Sequence, residues 1–60
     1  MKILIVFSHE KGGRTLLENA TDNIDGPIPT TAELMDIKRR LKRYGGYEHV
    51  KLLNWFEVKE

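Results

Sequence analysis

The sixty residues carry ten Lys and Arg against nine Asp and Glu, a formal charge of +1, which excludes both a chain that coats nucleic acid by bulk charge and an acidic mimic of it. The chain lacks cysteine, which excludes a disulfide framework and a thiolate zinc site and suits a reducing cytosol. One small domain over residues 1–60 is expected, near the lower size at which a single core holds without a staple.

The opening MKILIVF is too short an apolar run to cross a membrane and has no small-residue cleavage site, so a mature cytoplasmic chain is expected. Lys2 to Ser8 predicts a strand, rich in Ile and Val. Ile3, Ile5 and Phe7 point to one side and Leu4 and Val6 to the other, the pattern of a central strand with two apolar faces. His9 to Gly13, HEKGG, predicts a turn, with glycines that supply positive φ.

Arg14 to Ile24 admits two readings. A second strand, Thr15 to Asn23, closes a hairpin on the first; alternatively Leu16, Leu17 and Ala20 share one side of a short helix. In the helical reading ILIVFSHEKGGRTLLENA resembles the strand, phosphate loop and helix that open flavodoxins. That sheet needs more parallel strands than sixty residues supply, so the strand is preferred.

Asp25 to Pro29, DGPIP, is a connection, since Asp-Gly and two prolines continue neither element. Thr30 to Gly46 predicts an amphipathic helix. Thr30 and Glu33 form a capping box, Leu34, Ile37, Leu41 and Tyr44 make one apolar stripe, and Gly45-Gly46 stops the helix. Lys38, Arg39, Arg40, Lys42 and Arg43 cover the rest of its surface, with Asp36 four residues before Arg40. Tyr47 to Val58 predicts the last strand, with Val50, Leu52, Asn54, Phe56 and Val58 on one face and Lys51, Leu53, Trp55 and Glu57 on the other. Lys59-Glu60 is a solvated tail.

Assembled, these elements predict an α+β fold, β-β-α-β, in which a three-stranded antiparallel or mixed sheet of order 2-1-3 carries one helix on one face. One helix covers one face only. Leu4, Val6, Leu53 and Trp55 are therefore expected on an uncovered side, as a protein interface.

From Asp25 to Trp55 the chain resembles a group of small phage and prophage proteins of Gram-positive bacteria with no assigned activity. The residues that carry the resemblance are Pro27-Ile28, Leu34, Ile37, Gly46-Tyr47, Val50, Leu52, Leu53, Asn54 and Trp55. The hairpin lacks the aromatic-Gly-Asn run of that group. The resemblance implies the β-β-α-β fold and a phage product acting in the host cytoplasm on a host component, such as a defence system of the CRISPR kind. It supplies no catalytic residue.

Set against chemistry, most candidates reduce to structure. His9 with Glu10 could serve as an acid/base or metal pair, but two histidines make no ligand set, and a surface turn is the plainer reading. HEKGGRT lacks P-loop spacing, and Asp22, Asp25 and Glu33 lack that of a calcium loop. No nucleophile, base and orienting group occur at recognisable spacing, so no enzyme, metal or cofactor is expected. Two readings remain. The first is a non-enzymatic interaction module that uses its free sheet face to bind itself as a homodimer, or to modulate or inhibit a host protein. The alternative is nucleic-acid binding through Lys38, Arg39, Arg40, Lys42 and Arg43.

Overall fold

In the computed structural model, which describes residues 1–59, the chain forms β1 (Lys2–Lys11), β2 (Arg14–Asn23), α1 (Thr31–Tyr44) and β3 (Glu48–Glu57). β1 pairs antiparallel with both other strands, giving the order β2-β1-β3 and the β-β-α-β, α+β fold. The expected tail residue Glu60 lies outside the described residues.

β1 is central because both its faces are apolar. Ile3, Ile5 and Phe7 are fully buried beneath the helix with Ile24, Ile37 and Val50, each large side chain contributing roughly 1.5–3 kcal/mol relative to exposure. The strand continues past Ser8 to Lys11, so the turn is shorter than HEKGG and consists of Gly12 and Gly13 alone. Both have positive φ, 58° and 77°, the type I′ geometry whose twist matches a two-residue hairpin. His9 is therefore a buried strand residue rather than part of a surface turn.

The hairpin makes Arg14–Asn23 a strand, which excludes the short helix considered for this segment. Met1 and Ile24 extend the ladder, with the Ile24 N–H donating to the Met1 carbonyl and the Met1 amine to the Ile24 carbonyl, both at 2.8 Å. The exchange anchors the strand end and drives Ile24 into the core.

The helix starts where the capping box places it. The Glu33 N–H donates to Thr30 Oγ1 at 3.1 Å, and the Thr30 N–H donates to Glu33 Oε1 at 3.0 Å. Glu33 Oε2 also accepts from the Asp25 N–H at 3.1 Å, tying the connection to the first turn. These backbone donors, Thr30 first and Asp25 second, hold the Glu33 carboxyl below its ordinary pKa. At the other end Gly46 takes the left-handed conformation, φ 70°, whereas Gly45 stays right-handed. Gly45 answers a different demand: a Cβ there would stand 2.6 Å from the Tyr47 ring.

The apolar stripe is shorter than its sequence suggests. Ile37 is buried and Leu34 and Leu41 half-buried, but Tyr44 is 77% exposed, with the Arg43 guanidinium 5.6 Å from its ring centre. The place assigned to Tyr44 is taken by Tyr47, whose ring meets Phe7 edge-on at 5.1 Å and lies 4.5 Å from His9.

Candidate functional site

Two register shifts in β3 decide which side chains share a face. Phe7 pairs with Leu52 and Val6 with Asn54, so Leu53 is an extra residue with no partner in β1, a β-bulge. Asn54 supports the irregularity locally, its Oδ1 accepting the Trp55 N–H at 2.8 Å. Because side chains alternate with period two, one extra residue exchanges the faces of everything after it. Trp55 accordingly pairs with Ile5 and packs against the core, while Phe56 pairs with Leu4.

This corrects the expected alternation: Trp55 belongs to the helix-covered face, and Phe56 leaves the Val50 and Leu52 side for the open one. The second shift sets His49 and Val50 opposite β1 between Ser8 and Glu10, with His49 held at φ 53° and Val50 buried.

Among the described residues no element covers the opposite sheet face. Its rows across the three strands read Thr21, Leu4, Phe56; then Asn19, Val6, Asn54; then Leu17, Ser8, Lys51. Leu4 and Val6 are half-buried by their neighbours, while Leu17 is 69% and Phe56 51% exposed. Leu53, at the bulge, is 47% exposed. Of the interface residues expected from sequence, Leu4 and Val6 lie on this face and Trp55 does not; Leu17 and Phe56 were missed. The centre, around Leu4, Val6, Asn19 and Asn54, is apolar or neutral; Lys51 shares the row of Leu17 and Ser8, and a carboxylate pair, Glu10 opposite Glu48, stands beyond it toward the hairpin end. Depletion of charge at the centre, with polar groups around it, is the composition of an interface core and rim.

The basic helix face is partly occupied from within. Arg40 donates to Asp22 at 2.7 Å and to Asp36 at 3.1 Å, and Arg39 lies 3.8 Å from Asp36. Lys38, Arg39 and Lys42 line a shallow depression of about 290 Å³ with Met35, and Arg43 is spread toward Tyr44. Five cations close in sequence thus do not form one uniform phosphate-binding surface.

The remaining candidates separate in space. His9 and Glu10 point to opposite faces of β1; Glu18 lies 3.7 Å from His9 Nε2, and among the described residues that buried nitrogen has no hydrogen-bond partner. The glycine turn leads into a strand, not a helix N-terminus, so HEKGGRT has no phosphate cradle behind it. Asp22 is engaged by Arg40 and by the Asn23 N–H, and Glu33 by the cap. Among the described residues no group of three His, Asp or Glu is placed to hold a metal, and no helix is long and apolar enough to cross a membrane.

Comparison with family models, curated proteins and solved structures finds no match to this chain.

Proposed function

We propose that this chain is a small non-enzymatic interaction module that docks on another protein through its open sheet face. The observation that carries this is the face itself: Leu4, Val6, Leu17 and Phe56 present apolar side chains that no element covers among the described residues. In this reading Phe56 and Leu17 are the anchors, and the partner offers a complementary apolar surface. The resemblance to phage and prophage proteins makes that partner a host protein that the module modulates or inhibits, in the host cytoplasm, with a defence system such as CRISPR as one such target.

The test starts with capture from a Gram-positive host lysate, followed by purification of the captured protein and titration against wild type, Phe56→Glu and Leu17→Glu. A direct complex that either charge weakens by roughly a hundredfold supports the reading. A purified complex indifferent to both charges, or no direct complex at all, contradicts it.

Nucleic-acid binding is the second reading, favoured by the common depression that Lys38, Arg39 and Lys42 line. With Arg40 held by Asp22 and Asp36, few cations remain for phosphate, so binding of this kind is weak and falls steeply with salt. Reversing the charge at Arg39 and Arg43 abolishes it; a gel shift that survives the reversal or persists in high salt counts against it.

A further inference from the structure

The two outer edges of the sheet are unlike. β3 carries two register shifts and a left-handed His49, devices that keep an edge from accepting a further strand. β2 has neither: its ten residues pair with β1 in unbroken register, it contains no proline, and among the described residues no strand lies beyond it. The helix packs over β3 rather than β2, leaving beside β2 a groove of about 400 Å³. Ile5, Ala20, Ile37 and Leu41 line it, and the Arg40–Asp22 bridge borders it.

We infer that β2 pairs antiparallel with β2 of a second copy about a twofold axis normal to the sheet, giving a six-stranded sheet with both helices on one face. The occupant is identified by self-complementarity. On the helix side β2 presents Arg14, Leu16, Glu18, Ala20 and Asp22 in that order. Centred on Glu18, the antiparallel alignment sets Arg14 against Asp22 of the partner subunit and Leu16 against Ala20 of the partner subunit, each contact made twice. Leu16, half-exposed in one copy, then reaches toward the partner's groove. A slip by two residues in either direction sets Leu16 against a carboxylate and removes the Arg14–Asp22 contacts. The alignment's unfavourable contact is Glu18 against its own copy at the axis. Each Glu18 has an outlet: His9 Nε2, 3.7 Å away and without a hydrogen bond among the described residues, can donate to it.

Edge pairing leaves the open face free and extends it over six strands, so this inference stands apart from the docking reading and survives its failure. Because the chain has no cysteine, position-specific cross-linking reads the geometry directly. Glu18→Cys, oxidised at micromolar concentration, should give a covalent dimer, whereas Val6→Cys, at the centre of the open face, should not. In sedimentation the wild type should be dimeric. Arg14→Glu, an exposed position at the hairpin end, should weaken the dimer by roughly a factor of ten or more while its circular dichroism stays unchanged. A wild type that sediments as a monomer throughout overturns the inference. So does a Val6→Cys dimer formed in preference to the Glu18→Cys one, or a folded Arg14→Glu that dimerises as tightly as wild type.

Discussion

Thr30 and Glu33 carry more of the fold than their size suggests. Together they satisfy three backbone donors, those of Asp25, Thr30 and Glu33, at the point where the chain leaves β2 and enters α1. Thr30→Ala should lower stability by about 1 kcal/mol, read as a shift in the denaturation midpoint. The Glu33 carboxyl titrates below its ordinary value in the folded chain. Its contribution is therefore present above the unfolded value of about 4.5 and is lost as the pH falls through the lower, folded value. Acid titration of stability should show this loss, and Glu33→Gln should flatten it. Gly45 poses a steric test: in Gly45→Ala the new methyl meets the Tyr47 ring at 2.6 Å and the Leu41 carbonyl oxygen at 2.7 Å. Displacing that ring disturbs its contacts with Phe7 and His9, and a loss of about 1–3 kcal/mol is expected in chemical denaturation.

At the scale of elements, the legible parts of the sequence were those where local chemistry and long-range packing agree. The Thr30-x-x-Glu33 spacing located the helix start, and the two-sided apolar run of β1 located the middle of the sheet. The turn was read too long because HEKGG is polar throughout, whereas a type I′ turn needs only Gly12 and Gly13 and lets β1 run on with His9 buried. β3 was harder. Leu52-Leu53-Asn54-Trp55-Phe56 is compatible with alternation in either phase, and only pairing with β1 reveals that Leu53 is the extra residue. Asn54, a residue disfavoured in strands, was the available signal. The bulge makes opposite predictions for neighbouring side chains. Trp55→Glu puts a charge beneath the helix and should destabilise the fold by several kcal/mol, visible as loss of helical circular dichroism on mild denaturation. Phe56→Glu should leave the denaturation midpoint close to wild type. An equal loss in the two variants would show that the faces do not exchange at Leu53.

On the scale of the whole molecule, one helix over a three-stranded sheet leaves an asymmetric particle, with a core on one side and strands that no described residue covers on the other. Three strands of ten residues offer on the order of 33 by 14 Å of surface, modest beside the roughly 800 Å² that each partner contributes to a standard interface. Pairing at β2 would double that face without altering it, so self-association at the edge and docking on the face are compatible uses of one sheet. The measurement that most directly tests the open face as the docking surface is cross-saturation nuclear magnetic resonance of the isotope-labelled chain bound to its purified partner. Signal loss should concentrate at Leu4, Val6, Leu17 and Phe56 and spare Ile37 and Lys42; loss confined to Lys38, Lys42 and Arg43 on the helix would contradict it.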